Sequence, residues 1–162
     1  MRYRAAIITI SDKGSCGERV DTSGPALRDM LNDEFDVSEI VIIPDEVDII
    51  ADTIKRHVDD FGVDLIVTNG GTGLSKRDVT PEATRMVIEK DLPGFAEVMR
   101  AESYKITPTA VISRAVCGIR KESIIINLPG SPKAATECLG FIKAALPHAL
   151  EKLKGSTADC AR

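Results

Sequence analysis

Several things that this chain lacks narrow what it can be. No apolar run approaches the ~20 residues that a membrane-spanning helix needs, so no membrane partner is expected. Two histidines and four cysteines (Cys16, Cys117, Cys138 and Cys160), widely spaced and without a Cys-x-x-Cys pair, make a zinc site a poor expectation. A basic surplus is missing too: 21 Lys and Arg stand against 25 Asp and Glu, a net charge of −4, which argues against general nucleic-acid binding. A small anion remains possible, because backbone N–H groups and a few cations suffice for one. Met1-Arg2-Tyr3-Arg4 leads into an apolar stretch too short for a secretion signal, so a cytoplasmic protein with free thiols is expected. The common phosphate loops are absent as well. Lys76 follows Ser75 rather than glycine, which excludes the P-loop spacing, and no third glycine completes a dinucleotide fingerprint after Gly71 and Gly73.

What is present reads as one α/β domain. With 162 residues, 43% of them apolar, the chain can bury about 70% of the surface that its unfolded form exposes. Arg4 to Ser11, rich in Ile and Ala, alternates little, the pattern of a strand covered on both faces. A loop from Lys13 to Asp21 precedes a helix opened by Ser23-Gly24-Pro25, and Val37 to Ile43 gives a second strand ended by Pro44. Val47, Ile50, Ile54, Val58 and Phe61 repeat at helical spacing, with Asp45 as a candidate N-cap and His57, one residue off the stripe, read as a surface side chain. Later come helices over Pro81 to Lys90 and Phe95 to Glu102, and a short turn over Pro108 to Ser113. Two strands, Ala115 to Ile119 and Ile124 to Asn127, are joined by a tight turn that demands antiparallel pairing. Ser131-Pro132 opens a further helix, and another covers Pro147 to Leu153. Alternation of strand and helix predicts a three-layer α/β/α sandwich, its sheet mostly parallel with one antiparallel strand. The loops after Ser11, Pro44, Thr68 and Asn127 should then gather at one rim, where ligands bind in such sheets.

The most informative stretch follows Leu65-Ile66-Val67, a buried-strand run. Gly70, Gly71 and Gly73 fall within four residues, so main-chain N–H groups there can meet a ligand without a Cβ between. Thr80-Pro81-Glu82 then reads as a helix start, with Thr80 as the hydroxyl cap. Asp78 lies inside this loop. A carboxylate beside a phosphate cradle calls for a hard cation between them, and Mg²⁺ shared by one or two carboxylates and substrate phosphates is the usual arrangement. The alternative is a glycine-rich turn and a capped helix, with Asp78 a solvated acid.

Thr68-Asn69-Gly70-Gly71-Thr72-Gly73-Leu74-Ser75-Lys76-Arg77-Asp78-Val79-Thr80-Pro81-Glu82-Ala83 resembles the signature of a molybdenum-cofactor biosynthesis family. That family includes bacterial molybdopterin adenylyltransferase (the MogA and MoaB proteins) and the G domain of gephyrin. Ile10-Ser11-Asp12, Asp21-Thr22-Ser23-Gly24-Pro25, Ile43-Pro44-Asp45-Glu46 and Ile126-Asn127-Leu128-Pro129-Gly130-Ser131-Pro132-Lys133-Ala134 resemble further family blocks, in family order. The resemblance implies a single molybdopterin-binding (MoaB/Mog-like) domain over 1–155, with 156–162 a flexible tail. It also implies transfer of AMP from ATP to molybdopterin with Mg²⁺, releasing pyrophosphate. Asp78 and Asp45 would hold the metal or position the attacking phosphate. Gly70, Gly71, Thr72 and Gly73 would cradle phosphate. Ser11, Asp12, Ser131 and Pro132 would line the nucleotide or pterin pocket, with Glu82 a supporting acid and Lys133 a phosphate neighbour. A homotrimer and hand-off of product to a molybdenum-insertion protein are implied as well. Two alternatives stay open: a paralogue that binds pterin or nucleotide without transfer, and a scaffolding module of the gephyrin type.

Overall fold

Three short runs made almost wholly of Ile, Val, Ala and Leu supply the centre of one sheet, because a strand with helices on both faces has no side that tolerates polar residues. The computed structural model describes residues 2–157, so part of the tail expected over 156–162, and Cys160 with it, lies outside the described residues. In chain order the elements are β1 (Tyr3–Ile10), the single turn α1 (Asp12–Ser15), α2 (Ser23–Leu31), β2 (Phe35–Ile43), α3 (Val47–Asp59) and β3 (Leu65–Asn69). They continue with α4 (Thr80–Val87), β4 (Lys90–Asp91), α5 (Pro93–Ile106), a 3-10 turn (Pro108–Ile112), β5 (Cys117–Arg120), β6 (Ser123–Leu128), α6 (Pro132–Ile142), a second 3-10 turn and α7 (Leu146–Leu153).

The six strands lie in the order β2-β1-β3-β6-β5-β4. β1 pairs in parallel with β2 and β3, and β3 with β6, whereas β5 runs antiparallel to both of its neighbours. One reversed strand in an otherwise parallel sheet is the expected arrangement. Successive residues of the central strands feed opposite faces, as the pleat requires. Ala5, Ile7, Leu65, Val67, Ile124 and Ile126 pack with Leu27, Leu31, Met99, Leu139 and Leu146 from α2, α5, α6 and α7. Ala6, Ile8, Ile66 and Ile125 pack with Ile50, Ile54, Ala83 and Val87 from α3 and α4. The result is three layers, α/β/α.

Four local expectations are corrected. His57 is buried rather than on the surface: Nδ1 contacts the Thr53 carbonyl at 2.7 Å, Nε2 contacts Glu39 at 2.9 Å, and the Phe61 ring stands edge-on at 5.3 Å. The edge strand β2 reaches over α3 to meet it. Asp45 does not cap α3, whose N-cap residue is Glu46 with no side-chain cap bond. Thr80 does not cap α4, since Val79 precedes the helix and the Thr80 hydroxyl bonds elsewhere. Lys90 and Asp91 leave the helix and pair with Ile119 and Gly118 as a two-residue strand. By contrast, Ser131 caps α6 as read, accepting from the Ala134 amide at 3.2 Å.

Candidate functional site

Because β1, β2, β3 and β6 are parallel, their carboxyl ends open onto one rim, and the loops that follow them meet there. The glycine loop is seated so tightly on this rim that side chains cannot replace its first two residues. Gly70 has φ +102°, and a Cβ there would stand 2.2 Å from the Ile10 carbonyl oxygen. Gly71 has φ +66°, and its Cβ would meet the Thr80 hydroxyl at 2.3 Å and Asp45 Oδ1 at 3.0 Å. Both conformations belong to the left-handed region that glycine adopts without strain. The Thr80 hydroxyl donates to the Gly70 carbonyl at 2.9 Å and its amide to the Gly71 carbonyl at 3.1 Å, which pins the loop onto α4.

Four consecutive main-chain donors, the N–H groups of Gly71, Thr72, Gly73 and Leu74, find no acceptor among the described residues. Backbone donors are otherwise almost always paired, so a run of four is a place for an anion or water. Asp78 closes the loop. Its carboxylate accepts from the Ser75 amide at 2.9 Å while its own amide donates to the Ser75 carbonyl at 3.0 Å.

The acids here are held unequally. Asp12 and Asp45 latch the ends of β1 and β2 together, each backbone amide donating to the other's carboxylate at 2.9 and 3.0 Å. Arg77 donates to both Asp12 oxygens and to Glu46, and with the Asp45 amide it holds the Asp12 carboxyl below the ordinary aspartate range. Burial pushes Asp45 the other way, upward, and the charges of Asp12 and Asp78 add to that push. A half-buried carboxylate with two acids for neighbours is poorly neutralised by protein alone.

A polar cleft of about 510 Å³ lies along the rim, lined by Ser11, Asp45, Gly70, Gly71, Asp78, Ser131 and Pro132, among others. Seven of the expected residues are thus brought together. Thr72 and Gly73 instead line a mainly apolar cavity of about 250 Å³, together with Ala96, Met99, Ala115 and Cys138. Asp12 lines neither cavity, being engaged with Arg77 and Asp45. Glu82 is ion-paired with Arg114, which holds its carboxyl below the usual range. Lys133 is exposed at the start of α6 and touches neither cavity. None of the described cysteines lines the polar cleft: burial pushes the Cys117 thiol up to about 12, Cys138 is buried against Ser103, and Cys16 is exposed after α1.

Several site residues were missed by sequence reading. Asp21 accepts from the amides of Ser23 and Gly24, the first two of α2, at 3.1 and 3.0 Å and from the Thr9 hydroxyl at 2.8 Å, although the N-cap residue of that helix is Thr22. Asn69 donates to that same hydroxyl at 3.0 Å, and all three line the polar cleft. Gly24 must lack a side chain, since a Cβ would lie 2.3 Å from Asp21. An aspartate two residues before a serine-glycine helix start was the available signal, read only as a family block.

Comparison with known proteins adds an independent line. Residues 6–148 match the family described as "Probable molybdopterin binding domain". The chain is 42% identical to the molybdopterin adenylyltransferase of Helicobacter pylori (strain J99), over 93% of this chain and 87% of that one. It is 41% identical to the molybdopterin adenylyltransferase of Haemophilus influenzae, over 96% and 87%. It superposes on the crystal structure of the molybdopterin biosynthesis enzyme MoaB from Thermus thermophilus with a TM-score of 0.90. That pair is 46% identical over 95% of this chain and 98% of that one.

Proposed function

The chain belongs to the molybdopterin-binding domain family of molybdenum-cofactor biosynthesis, and from that premise we propose that it is a molybdopterin adenylyltransferase. It joins AMP from ATP to molybdopterin and releases pyrophosphate. The observation that carries this reading is the run of four N–H groups, Gly71 to Leu74, left without acceptors beside two acids. In the reaction an oxygen of the molybdopterin phosphate attacks the α-phosphorus of ATP, and the bond from that phosphorus to the bridging oxygen of pyrophosphate breaks. Neither event requires a protein nucleophile; both require alignment and charge neutralisation. The loop amides hold phosphate oxygens and cost no reorganisation when charge shifts between them. Ser11, Ser131 and the start of α2, with Asp21 before it, wall the cleft and restrict where substrate can lie.

The residues present fit Mg²⁺. Asp45 and Asp78 are hard oxygen donors on the same cleft, and burial leaves Asp45 short of positive charge. Mg²⁺ takes its remaining ligands from substrate phosphates and water, so two carboxylates suffice. Bound there, Mg²⁺ would neutralise charge on the phosphates; Asp78 and Asp45 would hold it. We also propose a cytoplasmic homotrimer that hands its product to a molybdenum-insertion protein. No helix among the described residues is long and apolar enough to cross a membrane. Exposed Val98, Tyr104, Ile106, Val111 and Ile112 along α5 and the turn after it support burial against another copy.

Mass-detected AMP transfer tests the reading. The wild-type chain with ATP, Mg²⁺ and molybdopterin should yield adenylyl-molybdopterin and pyrophosphate one for one. Binding of both substrates without product would instead identify a non-transferring paralogue.

A further inference from the structure

The carbonyl side of the glycine loop is held by side chains and backbone amides of residues that the chemistry above does not use. Thr80 takes the carbonyls of Gly70 and Gly71. Arg114 takes the next ones: its amide donates to the Thr72 carbonyl at 2.9 Å, Nε to the Gly73 carbonyl at 2.8 Å and Nη2 to the Asp78 carbonyl at 2.7 Å. Glu82 receives the outer edge of the same guanidinium through Nη1 and Nη2, which fixes its plane. In a trans peptide the C=O and the following N–H point in opposite directions. Holding the carbonyls of residues 70 to 73 therefore turns the N–H groups of residues 71 to 74 to the other side of each peptide plane. Those are the four donors that have no acceptor.

We propose that Arg114 is a positioning residue for adenylyl transfer: by gripping the carbonyls of Gly73 and Asp78 with its guanidinium, beside the hold of its own amide on Thr72, it aims the loop amides and sets the backbone that carries the Asp78 carboxylate. The proposal rests on the adenylyltransferase reading. Arg114 touches no reacting atom in this role. A lysine cannot replace it, because one ammonium on a flexible stem does not reproduce donors spread along a rigid planar fork. Arg114 lies 36 residues from Asp78 and 41 from Gly73 in sequence, so the grip also ties the turn before β5 to the loop after β3.

The test compares Arg114→Gln and Arg114→Lys in the full chain. Three readouts are needed: calorimetric Mg-ATP affinity, kcat and KM for transfer, and amide hydrogen exchange at residues 71–74. Both variants should keep the wild-type circular dichroism, lose roughly 10- to 100-fold in Mg-ATP affinity and in kcat, and exchange faster at residues 71–74 but not in β3 or β6. Glu82→Gln, which loosens the fork without removing it, should move the same readouts less and serves if Arg114→Gln does not fold. A lysine variant near wild type would show that charge rather than the fork matters and overturn the proposal. So would normal Mg-ATP affinity and turnover at a lowered melting point, the mark of a purely structural residue. If the wild type binds no ATP and transfers no AMP, the functional reading fails by itself. Exchange at residues 71–74 then decides whether Arg114 positions the loop, and an unchanged rate overturns it.

Discussion

The two ends of the central strands carry the same kinds of residue in different states. At the amino ends of β3 and β6, the acids are answered by cations. Asp59 meets Arg120 at 2.6 Å and Lys121 at 2.8 Å, while Asp64 meets Lys154 at 2.6 Å and the Arg4 amide at 2.7 Å. At the carboxyl ends, Asp12 and the flanking Glu46 are answered in this way by Arg77, and Glu82 by Arg114. Asp45 and Asp78 face one another's charge, and four amides wait without acceptors. Paired charges fasten elements together; unpaired ones of both kinds, kept side by side, make a place for something that bridges them. The difference separates the end that holds the fold from the end that works.

That contrast can be broken in order of expected effect. Asp78→Asn should keep the fold and lower transfer on the order of 100-fold or more, as loss of a preorganised charge does, when product is counted by mass. An unchanged rate would return Asp78 to the solvated acids. Gly71→Ala should fail more broadly, because its Cβ meets the Thr80 hydroxyl in a left-handed backbone. Strain of about 1–3 kcal/mol should appear in denaturant titration alongside lost nucleotide binding.

Asp45→Asn separates stability from function. A carboxyl whose folded pKa is raised binds its proton more tightly in the fold, so its ionisation at neutral pH works against folding. The variant should therefore melt no lower than wild type near pH 7 while transfer falls. In the wild type, the acid limb of kcat/KM at low Mg²⁺, which reports the metal-free enzyme, should lie above the ordinary aspartate range, since the ionised Asp45 is lost sooner as pH drops. The smallest effect belongs to the other rim. Arg120 and then Lys121 pull Asp59 down to about 2, so its stabilisation is present above about 3.9 and fades as pH falls toward 2. Asp59→Asn should cost about 1 kcal/mol at pH 7, progressively less as pH falls toward 2, and leave transfer unchanged.

The fold was legible because buried parallel strands such as Leu65-Ile66-Val67 announce themselves as unbroken apolar runs, and because proline in the first turn marks a helix start at both Pro81 and Pro132. The failures share one cause. Thr80 and Asp45 both look like helix caps to a reader who sees only neighbours, yet their partners are the Gly70 carbonyl and the Asp12 amide, contacts made only after strands align. His57 sits one residue off the stripe but is covered by Glu39 from an edge strand. Lys90 and Asp91 are too short a strand to show a period. Arg114 had no signal at all, a lone cation after Ser113 whose partners lie 32 to 41 residues away. Within the candidate site, the glycines and Asp78 stood out because they are contiguous, and Asp12 and Asp45 because each follows the end of a strand; what holds them in place gave no signal.

The most direct measurement follows the backbone amide resonances of Gly71, Thr72, Gly73 and Leu74 while Mg-ATP is titrated into the wild-type chain. The account predicts that these four shift with one saturating dissociation constant and become protected from hydrogen exchange, while the amides around Asp59 and Asp64 stay where they were. Saturable ATP binding that leaves the four amides unmoved and unprotected would contradict it.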